Sequence, residues 1–150
     1  MIADRLKELG IVLPIAAVPA FQYVPVTIHE RLAFVSGQLP RDGDSIITGK
    51  VGAEVDIDRA RAASRLCILQ ACACLAQTLG SLDRIDRILK ITGFVASAPG
   101  FNQQPKVIDA ASELLFDIFG EAGRHARSAI GVAELPRNAA VEIELIVAVR

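Results

Sequence analysis

The chain has 150 residues, of which 52% are apolar and 22% charged, and its formal net charge at pH 7 is −1. This length predicts one domain, and the apolar fraction with the small net charge excludes an intrinsically disordered chain. The balance of 16 basic and 17 acidic residues argues against a nucleic-acid partner, because such proteins present clustered positive charge. We expect no membrane-spanning helix, since no stretch approaches the roughly 18 apolar residues that one requires.

The chain is expected to be cytoplasmic and oligomeric. Its first ten residues resemble an amphipathic helix rather than a secretory signal. Its three cysteines, Cys67, Cys72 and Cys74, fall in one segment instead of forming a disulfide framework. The mean hydropathy of +0.42 is high for a soluble monomer of this size, so subunit contacts are expected to bury the surplus apolar surface.

The N-terminal third predicts a short helix, an extended segment and a β-hairpin. The helix occupies 1–10, and the extended segment at 11–20 contains two prolines, which favour non-helical backbone. Strands are predicted at 22–28 and 31–38, joined by a turn at His29–Glu30.

A turn and a long helix come next. The turn at 41–44 contains a glycine that can adopt a positive φ. The helix is predicted at 56–78, with Asp56 as its N-cap and Gly80 as its C-terminal cap. Residues 66–76 are apolar on almost every side of this helix, so we expect it to be buried.

The remaining chain predicts a strand, a second helix and two more strands. A strand at 88–96 precedes a helix that starts near Pro105, carries an apolar stripe with a 3.6-residue period and ends at Gly120. Strands follow at 127–133 and 140–149. The order ββαβαββ predicts an α+β fold in which two helices cover one face of a sheet.

Neither a metal site nor a cofactor site is predicted. His29 and His125 lie in predicted loops far apart, with no cysteine at ligand spacing beside either. The common phosphate-binding, dinucleotide-binding and serine-nucleophile motifs are missing from the sequence. The cysteines lie on the predicted buried helix, where core packing explains them better than reactivity. An enzyme with this sequence would therefore act without metal, cofactor or covalent triad.

Arg127 is a candidate anion-binding residue. Strand alternation places it on one face with Ala129 and Gly131, and such small neighbours would leave a hollow where the guanidinium could bind a carboxylate with two hydrogen bonds. The alternative is a structural ion pair of Arg127 with Glu134 or Glu142. Spacing alone favours the ion pair without excluding carboxylate binding.

Glu142 and Glu144 share one face of the last predicted strand, whose other face is apolar. Two carboxylates at this position could orient a water molecule or act as a general base. The alternative is a solvated strand end, which the pattern by itself favours.

Four segments carry a resemblance to a known family; in chain order they are FVSGQLP (34–40), KITGFV (90–95), ARSAIGVAELP (126–136) and VEIELIVAV (141–149). The sequence resembles the RidA/YjgF/UK114 family of reactive-intermediate deaminases, also known as endoribonuclease L-PSP-like proteins. The likeness covers 21–150 and follows an N-terminal part at 1–20. It implies one domain over 1–150, with the chorismate-mutase-like YjgF fold, a mixed sheet with two helices on one face, and a homotrimer.

The resemblance also implies a reaction and a site. The reaction is hydrolysis of 2-enamino or 2-imino acids, such as 2-aminoacrylate, to 2-keto acids and ammonia, without a cofactor, in clefts between subunits. Arg127 matches the arginine that binds the substrate carboxylate, and Glu142 matches the acidic residue that positions or activates the attacking water. Tyr23 matches a tyrosine that closes the cleft, while Ser36 and Gly37 match the backbone that lines it.

Several positions depart from the family pattern. Ala129, which would line the same cleft, replaces a common cysteine, and His125 stands where the deaminases usually carry proline. The segment 97–100 replaces a turn that usually bears aspartate or asparagine, and the loop at 119–126 is longer. Two alternatives therefore stay open: a trimer that binds a small carboxylic acid without turnover, and an endoribonuclease. The sequence disfavours the latter, because it shows neither paired acid–base groups nor a phosphate-binding surface.

Overall fold

A five-stranded sheet lies at the centre of the protein, and two long helices pack on one of its faces. The computed structural model describes all 150 residues. In chain order the elements are α1 (Ile2–Glu8), β1 (Val26–His29), β2 (Leu32–Gln38), β3 (Arg41–Asp42), β4 (Ser45–Ile46), α2 (Ile57–Leu79), β5 (Ile85–Ala96), α3 (Gln104–Phe119), β6 (Ala126–Val132) and β7 (Val141–Val149).

The sheet is mixed, with the strand order β1-β2-β7-β5-β6. Every neighbouring pair is antiparallel except β5 and β6, which run parallel and are connected through α3. The predicted α+β fold, a mixed sheet with two helices on one face, is therefore confirmed. The short strands β3 and β4 form a separate hairpin in the segment predicted to be a turn. Its turn residue Gly43 has a φ of +60°, the left-handed conformation that glycine adopts readily.

The predicted capping of α2 is confirmed. The Asp56 carboxylate accepts a hydrogen bond of 2.8 Å from the backbone N–H of Arg59, which satisfies one of the unpaired donors of the first turn. Gly80 ends the helix with a φ of +82°, a conformation that costs a residue with a Cβ more than it costs glycine.

α2 is a core helix although it is long and apolar enough, by length and composition, to cross a membrane. The sequence pattern does not single out this segment as a candidate span, because charged and polar residues such as Arg65 and Gln70 interrupt its apolar run. The helix packs against α3, β2 and β7, and 61% of its most apolar window is buried inside the protein.

The two faces of the sheet differ in what covers them. β7 buries every second residue, from Val141 to Val149, under the two helices. On the opposite face, Leu32, Phe34 and Ile130 are between 37% and 45% exposed, although strands normally place polar residues on a solvated face. We call this second surface the open face of the sheet.

Two strand boundaries differ from the predictions for local reasons. β1 begins at Val26 instead of residue 22, because Pro25 has no N–H for a sheet hydrogen bond. β5 begins at Ile85 instead of residue 88. The two charged residues Asp86 and Arg87, which are exposed, interrupt the apolar pattern at the start of this strand. The predicted N-terminal helix is confirmed by α1.

Candidate functional site

Tyr23, Ser36, Gly37 and Glu142 line one cavity of about 430 Å³, which we call the Glu142 cavity. The cavity lies between the N-terminal segment and the end of β2, where the pairing of β2 with β7 is irregular between Val35 and Gln38. This irregularity turns Ser36 and Gly37 out of the regular ladder. Four of the six residues predicted for the site are thus brought together.

Local hydrogen bonds fix the backbone segments that line the Glu142 cavity. The Ser36 hydroxyl donates to the carbonyl of Val24 at 2.7 Å, and the Ser36 N–H donates to the carbonyl of Pro25 at 2.9 Å. The Gln38 side chain donates to the carbonyl of Ser36 at 2.9 Å. These bonds fasten the segment that carries Tyr23 beside the end of β2.

Gly37 allows Glu142 to lie against the backbone. A Cβ atom at position 37 would overlap the Glu142 carboxylate. Only glycine leaves this space, so the carboxylate can occupy the floor of the cavity next to the main chain.

The surroundings of Glu142 disfavour its charge. Burial raises the pKa of the Glu142 carboxyl above its ordinary value, and the neighbouring negative charge of Glu144 raises it further. A carboxylate with a raised pKa is a stronger base than an exposed one, which suits it to take a proton from water.

The remaining lining of the Glu142 cavity is apolar and basic. One wall is formed by Ala17, Val18, Pro19 and Phe21 of the extended N-terminal segment, and Arg41 and Arg137 also line the cavity. Sequence reasoning missed this lining, because its members come from segments far apart in the chain. Together the walls suit a small anion that carries a short apolar side chain.

Arg127 lies on the other face of the sheet. Arg127 pairs with Ile91, which pairs with Leu145, and both partners are buried under the helices. Glu142 pairs with Phe94, which pairs with Ile130 on the open face. Because paired residues share a face and successive residues alternate, Arg127 and Glu142 of one chain point to opposite sides.

The ion pair of Arg127 is made with α3. Its Nη1 donates to Asp109 Oδ1 at 2.9 Å and to Ser112 Oγ at 3.0 Å. The alternative pairing with Glu134 or Glu142 is wrong: Glu134 instead pairs with Lys50, whose Nζ lies 2.9 Å from Glu134 Oε1, and Glu142 lies across the sheet.

The hollow expected beside Ala129 and Gly131 is filled. The three residues of β6 do share one face, but Ala129 packs against the core, and a Cβ at Gly131 would meet Gln104 Nε2 at 2.7 Å and Ser97 Oγ at 3.0 Å. The open space lies on the other side of Arg127. It is a cavity of about 240 Å³, the Arg127 cavity, lined by Asp109, Ser112, Phe116, Gly123, Arg124, His125 and Arg127.

His125 is bonded at both ring nitrogens. Its Nδ1 lies 2.7 Å from the carbonyl of Gly123, and its Nε2 lies 2.9 Å from Ser112 Oγ. Burial lowers the pKa of His125, the bond to Gly123 opposes this effect, and the positive charge of Arg127 lowers the pKa further.

Sequence reasoning missed Asp109 and Ser112. They lie one turn apart on α3, and this spacing places two side chains on the same side of a helix.

The chain therefore carries two separate parts of a site. One part contains Tyr23, Ser36, Gly37 and Glu142, and the other contains Arg127. No group of three or more His, Cys, Asp or Glu side chains that could hold a metal ion occurs in the structure. The chemistry available is thus a guanidinium for an anion and a carboxylate of raised pKa for a proton, on opposite faces of one sheet.

The fold and these residues define a protein of the chorismate-mutase-like α+β class. The chain belongs to the family described as "YjgF/chorismate_mutase-like, putative endoribonuclease", which it matches over residues 3–149. The resemblance inferred from the four sequence segments is confirmed by this match.

Individual relatives cover nearly the whole chain. Protein TCP17 of Trypanosoma cruzi is 45% identical over 148 residues, which are 97% of this chain and 92% of the relative. The crystal structure of protein Atu1372 from Agrobacterium tumefaciens, whose function is unknown, is 48% identical, with a TM-score of 0.92 over 99% of this chain and 92% of that one. A "putative endoribonuclease" from Shewanella oneidensis is 33% identical, with a TM-score of 0.96 over 99% of both chains.

Proposed function

We propose that the protein hydrolyses 2-enamino or 2-imino acids, such as 2-aminoacrylate, to 2-keto acids and ammonia in the cytoplasm. The observation that carries this proposal is the separation of Arg127 from Glu142. Each group lines an open cavity, yet the two lie on opposite faces of the sheet. A homotrimer in which the Arg127 cavity of one subunit meets the Glu142 cavity of the next would unite them in three clefts.

The open face of the sheet supports assembly. Leu32, Phe34 and Ile130 expose large apolar side chains there, and Phe94 and Ile146 lie half-buried among them. Large apolar side chains exposed on a sheet face are typical of a subunit contact. We propose that this face is buried in the trimer.

The reaction requires an anchor, a water and a base. The guanidinium of Arg127 binds the substrate carboxylate, which fixes the neighbouring carbon of the C=N bond. Glu142 accepts a proton from a water molecule whose oxygen forms a bond to that carbon, while the C=N π electrons move to nitrogen, which takes up a proton from solvent. In the resulting carbinolamine Glu142 returns its proton to the nitrogen and the C–N bond breaks. The hydroxyl loses its proton to solvent as it becomes the carbonyl of the keto acid, and ammonia leaves.

Three of the other predicted residues surround the reacting atoms: Tyr23 closes the cleft, and Ser36 and Gly37 provide its backbone wall. Ala129 packs against the core and lines neither cavity, so it has no part in this scheme. No cofactor takes part in this scheme, since an imine is already electrophilic and needs mainly orientation and proton transfer.

Release of ammonia and keto acid from enzymatically generated 2-aminoacrylate tests the proposal. Wild type is compared with Arg127→Ala, with a reaction without protein, and with Arg59→Ala, which removes an exposed arginine at the start of α2 as a matched control. We expect acceleration by wild type and Arg59→Ala, and none by Arg127→Ala, which should remain folded and trimeric.

Other outcomes separate the alternatives. An absence of acceleration over the blank across several imino acids, with keto-acid binding retained, would contradict hydrolysis and favour binding without turnover. Loss of folding in Arg127→Ala would show instead that the ion pair with Asp109 is structural.

The arrangement of the histidines does not favour ribonuclease action. His29 ends β1 and His125 precedes β6, and these strands form the two opposite edges of the sheet. A metal-independent nuclease needs an acid and a base near the same phosphate, and the two imidazoles of one chain do not meet this condition.

A further inference from the structure

We infer that Asp109, Ser112 and His125 are positioning residues that hold the guanidinium of Arg127 by one nitrogen and leave its other edge free for a carboxylate. The inference deepens the proposed function and rests on it, because it takes Arg127 as the carboxylate anchor. Asp109 and Ser112 lie on α3, and His125 lies in the segment between α3 and β6. Of the three, only His125 is noted from the sequence, and no role is assigned to it there.

The hydrogen bonds of this group have a fixed direction. The carbonyl of Gly123 can only accept, so the Nδ1 of His125 at 2.7 Å carries the hydrogen. In the neutral ring Nε2 is then an acceptor, and the hydroxyl of Ser112, 2.9 Å away, donates to it. The lone pairs of Ser112 Oγ are thereby turned to Arg127 Nη1 at 3.0 Å, which must donate.

Asp109 completes the fixation of Nη1. That nitrogen carries two hydrogens, and Asp109 Oδ1 at 2.9 Å and Ser112 Oγ accept one each. The planar guanidinium cannot turn about the Cδ–Nε bond without breaking both hydrogen bonds. The neutral state of His125 that this arrangement needs is favoured at neutral pH, because burial lowers its pKa.

The free edge of Arg127 has the geometry that a carboxylate requires. Its Nε and Nη2 donate to no acceptor of the chain, and its side chain is 26% exposed. These two nitrogens present parallel N–H bonds, which match the two oxygens of a carboxylate. A guanidinium held at Nη1 therefore loses little conformational freedom when a 2-keto or 2-imino acid binds.

Two measurements on Ser112→Ala and His125→Ala test the inference. The first is the affinity for 2-oxobutanoate by titration calorimetry, and the second is the ¹H–¹⁵N signal of the Arg127 Nε–H group, assigned by its loss in Arg127→Lys. We expect each variant to bind about tenfold more weakly and to shift and broaden the Nε signal. Ser112→Thr, which retains the hydroxyl, should restore both.

Lys106→Ala is the matched control, since Lys106 is an exposed residue of the same helix α3 and does not line the Arg127 cavity. In turnover assays Ser112→Ala and His125→Ala should raise KM with little change in kcat, because these positioning residues act on substrate binding. Unchanged affinity and an unchanged Nε signal in a folded Ser112→Ala protein would overturn the inference, as would a wild type that binds no 2-oxobutanoate. Binding without hydrolysis would refute only the proposed reaction.

Discussion

Glu142 and Arg127 illustrate how neighbouring residues decide what an ionisable side chain can do. Glu142 rests against Gly37, half-buried and beside Glu144, and both burial and the like charge raise its pKa. Arg127 instead is neutralised by Asp109 through one nitrogen only. One side chain is thus made a better base, and the other keeps two donors for an incoming anion.

Replacing Glu142 by Gln should impair turnover more than ligand affinity. The amide keeps the shape of the side chain but cannot take a proton from water. In wild type the rate should rise with pH as Glu142 loses its proton, and because its pKa is raised, this acidic limb should lie above the ordinary range of a glutamate.

Initial rates measured against pH, with keto-acid affinity measured in parallel, check this expectation. The acidic limb should be missing in Glu142→Gln, while 2-oxobutanoate affinity changes little. Equal loss of affinity and turnover would count against the role of Glu142 as the base.

The sequence identified these two side chains but not their partners. Arg127 and Glu142 stand in motifs, and strand alternation correctly assigned their neighbours on β6 and β7. The partners Asp109, Ser112 and His125 depend on how α3 is rotated above β6, and no local pattern determines that rotation. The same cause explains why the open space near Arg127 was expected on the side of Ala129.

At the scale of elements, the contact of α3 with the sheet depends on a row of small residues. Gly93 of β5 and Ala129 of β6 are register partners on the helix-covered face, and a Cβ at Gly93 would overlap the side chain of Ile108. Ile108 is fully buried. The missing side chain at position 93 therefore sets how closely α3 approaches the two parallel strands.

Gly93→Ala should destabilise the protein by about 1–3 kcal/mol, because one added methyl group overpacks a closed contact. Urea unfolding followed by circular dichroism measures the change. Arg65→Ala, at an exposed position of α2, is the control and should unfold near the wild-type midpoint. A Gly93→Ala variant as stable as wild type would show that α3 can shift outward without cost.

Elements with strong local signals were predicted well, and those without them were not. Caps and an apolar segment define α2, and an amphipathic stripe defines α3, so both helices lie close to their predicted bounds. The two-residue strands β3 and β4 are too short for any periodicity. The parallel pairing of β5 with β6 is a long-range contact, which propensity and patterning do not encode.

At the scale of the whole molecule, the chain fills its core and still exposes large apolar side chains in two places. Leu32, Phe34 and Ile130 lie on the open face of the sheet, and Val12 and Ile15 of the N-terminal segment are more exposed still. Full burial of an exposed apolar side chain is worth roughly 1.5–3 kcal/mol. Because the three open-face side chains are already more than half buried, an interface would gain only part of that amount from each.

The protein should behave as a trimer in light scattering coupled to size-exclusion chromatography. Ile130→Glu should give smaller species, since it places a charge within the proposed contact. Glu30→Ala, at the exposed turn before β2, is a surface control expected to remain trimeric. A monomeric wild type at micromolar concentration would contradict the proposed assembly.

The opposed directions of Arg127 and Glu142 have a genetic consequence. If every cleft draws one group from each of two chains, two inactive alleles can complement each other. Co-expression of Arg127→Ala with Glu142→Gln should restore both groups in about one quarter of the clefts when subunits mix at random. Homogeneous variants should stay inactive, and mixed trimers that also stay inactive would place both groups in the cleft of a single chain. In a heterozygous cell one inactive allele would then be partly dominant, because a defective chain also disables a cleft that it forms with a normal chain.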